Sequence, residues 1–266
     1  MARVFIFLIR KGGSGKTTSS VNFAAALAAN YNRRVLLVDL DPQANATTHM
    51  GINSRELKKS INTLFTTVGV DPHSVIVPAQ FIVSDMLFGI DVLPATSDLD
   101  NTDLSMQATN IGIFRPIIEA LQDDYDDIVI DTRPTRSLLT ISALVPATRT
   151  VIPMEAGIFA LDGLEGTLMD IQQVKVGLNP RLKLVGVLPT RVRESTNLSR
   201  AILGNAGKQY ERLLLRRPDN GQLLYIRDSV RVGEAPIYGM PVLAYDPRGG
   251  ATMDYYRLTG VLHAQR

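Results

Sequence analysis

The chain has 266 residues, 45% of them hydrophobic and 20% charged, with no cysteine and a formal net charge of +2. That is enough apolar material for one large folded domain, and it excludes a disordered chain, a disulfide framework and a cysteine-ligated cluster. No apolar run approaches the length of a bilayer span, the opening residues lack the pattern of a secretory leader, and the absence of cysteine suits a reducing cytoplasm.

Val4–Ile9 is an unbroken apolar run of strand length. Lys-Gly-Gly-Ser-Gly-Lys-Thr-Thr follows at Lys11–Thr18, and then Ser19–Ala29, rich in alanine with Val21, Phe23 and Leu27 at helical spacing. Strand, glycine loop and helix form the context of a phosphate-binding loop. Gly12, Gly13 and Gly15 let the backbone curl its N–H groups inward, beside Ser14, and the following helix aims its positive end at the same spot. Lys16 is then placed to reach the β- and γ-phosphates, and the Thr17 hydroxyl, ahead of Thr18, to hold Mg²⁺. Lys11 stands where the common loop pattern has glycine.

Arg34–Leu40 reads as a second buried strand running into Asp39, Asp41 and Pro42. Acids at the carboxyl end of a parallel strand lie where open α/β sheets bind ligands. Gly51–Gly89 is irregular, with short helices expected over Ser60–Thr66 and Ile82–Met86, then a short strand at Ile90–Pro94. Thr102–Asp123 reads as a helical stretch bent or restarted at Pro116. Asp127–Asp131 is an apolar strand closing on an acid, which places Asp131 to hold the Mg²⁺ shell. A helix at Leu138–Val145, a strand at Thr150–Pro153, a helix at Leu161–Val176 and a strand at Leu182–Leu188 complete the alternation. The expected fold is one doubly wound α/β domain with a mostly parallel sheet and helices on both faces. The last third is rich in arginine without an accompanying aromatic pattern, which favours a duplex held by its backbone over single strands.

Several stretches carry a family resemblance. Lys11–Thr18 resembles the deviant Walker A loop of the ParA/MinD family, in which the extra lysine crosses a dimer interface to the partner's nucleotide. Asp39–Thr47 resembles the family's Asp-x-Asp-Pro-Gln-Gly-Asn-Ala-Thr, with Ala44 in the Gly place. By that resemblance Asp41 orients the attacking water and Asp39 sits in the second shell of Mg²⁺. After Asp131 the family's Thr-Pro-Pro-Ser becomes Thr132, Arg133, Pro134 and Thr135, so a cation enters the segment that acts as switch II. Leu138–Val145 is similar to the family's next helix, with Ser142 in the Asn place. Gly186–Leu198 keeps Thr190, Thr196, Asn197 and Leu198 of another block, but Arg193 and Ser195 replace its Asp and Arg. Val230–Asp246 keeps Arg231, Glu234, Ala235, Pro236, Tyr238, Gly239, Pro241, Val242, Tyr245 and Asp246. Arg227 replaces a proline that lies near the adenine in the family.

The resemblance runs from Arg3 to about Tyr256 and implies a small ParA-type partition ATPase, with no room for an upstream helix-turn-helix domain. ATP and Mg²⁺ are the implied cofactors, with Lys11, Lys16 and Asp41 catalytic and Thr17, Asp39 and Asp131 around the metal. Arg191 and Arg227 are expected at the nucleotide. The implied cycle is an ATP-dependent homodimer on nonspecific double-stranded DNA, with Arg191, Arg193, Arg227 and Arg231 as contacts, released when a ParB-type adaptor stimulates slow hydrolysis. The implied location is the cytoplasm, on the nucleoid. Three alternatives stand beside it. A positioning ATPase for another cargo, such as a protein compartment, would share every motif. A MinD-like membrane ATPase needs a terminal basic amphipathic helix, against which Asp254–Arg266 offers Gly260 and little apolar face. A nucleotide-binding scaffold without hydrolysis is kept open by Arg133.

Overall fold

The computed structural model describes residues 1–155, 162–193 and 210–265. Its centre is a seven-stranded sheet: β1 (Arg3–Phe7), β2 (Val35–Leu40), β3 (Val77–Val83), β4 (Met86–Leu93), β5 (Asp127–Thr132), β6 (Arg149–Glu155) and β7 (Lys183–Thr190). The spatial order is β3-β4-β2-β5-β1-β6-β7, parallel throughout except for β3 against β4. Every residue of β2 and β5 is buried, as a strand covered on both faces requires.

Alternation along the central strands divides the core in two. Ile6, Val38 and Ile130 face a layer built from α5 (Phe114–Leu121), α6 (Leu138–Leu144) and α7 (Asp162–Gly177), through Phe114, Leu139 and Ile171. Phe5, Phe7, Leu37 and Val129 face α1 (Lys16–Tyr31) and the last helix, Gly250–Ala264. Phe23 of α1 packs edge-on against Phe5, with ring centroids 4.9 Å apart, and lies 5.5 Å from Phe7. The short helices α2 (Asn45–His49), α3 (Ile61–Thr66) and α4 (Leu99–Ser105) line the carboxyl-end side, and α8 (Val230–Glu234), α9 (Val242–Tyr245) and α10 (Gly250–Ala264) close the chain.

Three expectations are corrected. Ile82–Met86 is no helix: it is the tip of the β3–β4 hairpin, whose two turn residues Ser84 and Asp85 both have positive φ, 47° and 69°. Two such residues make the turn whose twist matches a hairpin, but Ser-Asp lacks the glycine that usually announces it. Thr102–Asp123 is not bent at Pro116 but interrupted well before it, and the helix restarts at Phe114. The stretch divides into α4, a 3-10 turn at Ala108–Asn110 and α5, where Pro116 occupies the first turn and its missing N–H costs nothing. Asp254–Arg266 does carry an apolar face: α10 buries Tyr255, Leu258 and Leu262 in the core against α1. Among the described residues no helix is long and apolar enough to cross a membrane.

Candidate nucleotide-binding site

Topology brings the functional acids together before any side chain is considered. β5 lies between β1 and β2, so the strand ends that carry the glycine loop, Asp131 and Asp39 are neighbours. Phe7 and Asp39 are both register partners of Asp131. The loop leaves β1 and enters α1 through Gly13 and Gly15, at φ 73° and 79°, a left-handed geometry that side chains with a Cβ resist. Ser14 is buried, and its carbonyl accepts the Thr190 hydroxyl at 2.8 Å, which pins the loop to the end of β7. Lys16 is 6% exposed, and its Nζ donates to Lys11 O at 3.2 Å. Burial pulls the Lys16 pKa below its ordinary value, and the carboxylates of Asp131 and Asp41 oppose that pull.

The two register-paired carboxyls differ in surroundings. Asp39 is satisfied internally: Oδ2 accepts Thr47 N at 2.8 Å and the Thr47 hydroxyl at 2.7 Å, and Oδ1 accepts Asp41 N at 3.1 Å. The same Thr47 hydroxyl accepts Ala95 N at 3.0 Å. Asp39 thus shapes the loop that presents Asp41 and anchors α2. Burial pushes Asp39 up to about 6 against those hydrogen bonds. Asp131 is also fully buried, yet neither oxygen has a hydrogen bond that satisfies it. Burial first, then the Asp39 charge, pushes it up to about 7, with Thr17 and Lys16 pulling the other way. A buried carboxylate with unsatisfied oxygens beside the Thr17 hydroxyl suits a hard divalent cation such as Mg²⁺, although no cluster of three or more acids or histidines that could hold a metal occurs among the described residues.

Asp41 is 6% exposed, and its Oδ1 accepts Gln43 N at 3.0 Å. It lines a cavity of about 360 Å³ with residues 12–19, Asn45, Pro134, Thr190, Arg191 and, on the far wall, Ile226, Arg227, Asp228, Ser229, Val232, Gly233 and Tyr255. That volume suits a small-molecule ligand. Sequence reasoning did not single out Ile226, Asp228, Val232 or Tyr255 as cavity-lining residues. Residues scattered through the C-terminal region carry no local spacing signal; backbone hydrogen bonds of Ile226 and Asp228 to Pro189 and Val192, and the return of α10 onto α1, assemble them.

The four arginines expected at DNA are placed otherwise than a free basic patch. Arg191 and Arg227 line the cavity, and Arg193 pairs with Asp228, which also lines it. Arg191 reaches Glu155 at 3.4 Å and Asp228 at 3.9 Å, while Arg193 Nε meets Asp228 at 2.6 Å. Arg227 is also a structural pin. Its Nε and Nη2 grip the buried Asp254 at 2.7 and 2.9 Å, where Arg257 also binds. Arg231 on α8 pairs with Glu234 at 2.9 Å and lies over the Tyr245 ring. Ser195, Thr196, Asn197, Leu198, Arg200 and Lys208 lie outside the described residues.

Arg133, the cation in the loop after β5, is not among the cavity-lining residues, though its neighbour Pro134 is. Its Nη1 donates to Asp103 at 2.6 Å and to Asp100 at 3.1 Å, both on α4. Asp103 also accepts Leu139 N at 3.3 Å, at the start of α6. The departure from Thr-Pro-Pro-Ser is therefore absorbed by two acids away from the phosphate cleft. Gly51, after α2, and Gly239, after Tyr238, touch so closely that a Cβ on Gly51 would stand 2.9 Å from Gly239 O.

A family model described as an AAA domain matches residues 2–184. The Bacillus subtilis sporulation initiation inhibitor protein Soj is 35% identical over 97% of this chain and 97% of its own length. The Caulobacter vibrioides chromosome partitioning protein ParA is 33% identical over 96% and 92%. Among solved structures, the Mycobacterium smegmatis cobyrinic acid a,c-diamide synthase with bound ATP analog and magnesium superposes with a TM-score of 0.82 at 28% identity, covering 99% of this chain and 94% of that one. With the glycine loop, the strand-end acids and these relatives in agreement over nearly its whole length, the chain belongs to this AAA-domain family as a ParA/MinD-type P-loop ATPase.

Proposed function

We propose that the chain is a DNA-partition ATPase in which ATP and Mg²⁺ control pairing of two protomers on duplex DNA, and in which a ParB-type adaptor speeds hydrolysis and release. The observation that carries this reading is the cleft lined by the glycine loop, Lys16 and Asp41, with the unsatisfied buried Asp131 acting electrostatically on Lys16. The chromosome-partitioning relatives support DNA as cargo, and the ATP analog with magnesium in the mycobacterial structure supports the cofactors.

The loop N–H groups and Lys16 hold the β- and γ-phosphates. Thr17 and Asp131 would hold Mg²⁺, which when bound supplies positive charge to the phosphate oxygens. Asp41, with Oδ1 fixed by Gln43 N, offers Oδ2 to orient the attacking water, and Asp39 keeps that loop in place. Lys11 of the second protomer adds a further cation to the phosphates. Catalysis is positioning and charge stabilisation, with no covalent step.

DNA binding rests on Arg191, Arg193 and Arg231, whose acidic partners lie at the surface. Exposed pairs of this kind contribute little to stability, so exchanging Glu234 or Asp228 for a DNA phosphate costs little. A two-fold dimer presents the set twice. The test is DNA affinity against salt, with ATP and with ADP, on two unrelated duplexes. Binding should require ATP and be equal on both duplexes, with a salt slope of about −0.9 per phosphate neutralised. Equal affinity with ADP, or a strong preference for one duplex, would overturn the reading.

A further inference from the structure

Asp170 lies on α7, 160 residues from Arg10, and its side chain is 3% exposed. Two arginines share it. Arg10, the residue before Lys11, donates Nε to Oδ2 at 2.6 Å and Nη2 to Oδ1. Arg136, from the loop after β5, donates Nε to the same Oδ1 at 3.0 Å. The neighbouring turn of α7 is shaped to receive Arg10. Thr167 Oγ1 accepts Arg10 N at 3.0 Å, and a Cβ on Gly166 would stand 2.8 Å from Arg10 Nη1. None of these residues belongs to the phosphate loop or to the strand-end acids.

What the carboxylate joins gives it meaning. Arg10 sets the path of the backbone into Lys11, whose carbonyl accepts Lys16 Nζ. Arg136 sits two residues after Pro134, which lines the cleft, and directly before Ser137, which caps α6 by accepting Thr140 N at 3.1 Å. One buried acid therefore holds both loops that border the phosphate end of the cleft. Its bonds are charge-assisted and, to Arg10, bidentate, which fixes direction as well as distance.

We propose that Asp170 is a positioning residue for hydrolysis. Through Arg10 it sets where the first lysine of the glycine loop stands, and through Arg136 it makes the loop after β5 move with it as one unit. This rests on the reading of Lys11 as a cation that acts on ATP.

The test uses the full chain and Asp170→Asn, which keeps the shape and removes the charge. Calorimetric ATP affinity and KM should stay within about threefold, because Lys16 and the loop N–H groups are untouched, while basal kcat falls by about tenfold or more. Arg10→Gln, Arg136→Gln and the double variant complete a cycle. If the two arginines work through one acid, the double variant is no slower than the worse single one. A kcat within about twofold of wild type in Asp170→Asn, or arginine effects that multiply, would overturn the proposal. Should Asp170→Asn fail to fold, Arg136→Gln at a half-exposed side chain decides alone, and unchanged kcat there overturns it. Lys11→Ala is assayed in parallel. If it hydrolyses ATP at the wild-type rate, the functional reading fails; if it is inactive and Asp170→Asn is normal, only the positioning role fails.

Discussion

Asp131→Asn tests whether the cleft is built at the expense of stability. Asp131 is fully buried beside Asp39, its register partner on β2, and burial with that neighbouring charge pushes its carboxyl from 3.8 up to about 7. In the unfolded chain the carboxyl loses its proton near pH 4, whereas the native one keeps it to about pH 7. Between those values the native state binds more protons than the unfolded state, so stability from this group falls as pH rises and is fully lost above about 7. A displacement of about 3 pH units at about 1.4 kcal/mol each costs about 4 kcal/mol at pH 8. Asparagine avoids that cost but also deprives Lys16 of an attractive neighbour, so a net gain of about 2 kcal/mol is expected. For a chain of this size that raises the melting temperature by about 4–8 °C. The assay is thermal unfolding of both proteins in chelator from pH 4 to pH 8.5. The gap should be widest above pH 7 and close towards pH 4. Added Mg²⁺ and ATP should then stabilise wild type more than the variant. Parallel melting curves across the whole range would refute the electrostatic argument.

Four further outcomes are expected. Lys16→Ala should weaken calorimetric ATP affinity by about tenfold or more, whereas Lys11→Ala should retain monomer binding and lose ATP-induced dimers by light scattering. Asp41→Ala should keep ATP and slow hydrolysis by about a hundredfold, leaving a long-lived complex on DNA; wild-type phosphate release would move the water-orienting role elsewhere. Gly51→Ala forces a Cβ into the φ 76° region and against Gly239 O, so thermal unfolding should show a loss of about 2–3 kcal/mol. Arg231→Ala should flatten the DNA salt slope by about one unit and leave melting unchanged, while Arg227→Ala, which strips the buried Asp254 of its bidentate partner, should cost about 2 kcal/mol of stability.

The phosphate loop, Asp41 and Asp131 were legible in the amino-acid order because each is a local signal. Glycines at fixed spacing must curl, and an acid that ends an apolar strand must emerge at the sheet's carboxyl edge. The strand–helix alternation likewise foretold a parallel sheet, and it failed where the local chemistry was ambiguous, at the glycine-free Ser84-Asp85 turn. A sequence counts arginines but not their partners, and Arg133, Arg193 and Arg227 all found acids elsewhere in the chain. Only the strand order made Asp39 and Asp131 neighbours, and only the packing of α7 on the sheet brought Asp170 between Arg10 and Arg136. Hydrogen bonds and desolvation act over a few ångströms of space, so their outcome at residues 160 positions apart belongs to the fold and not to any local run of sequence.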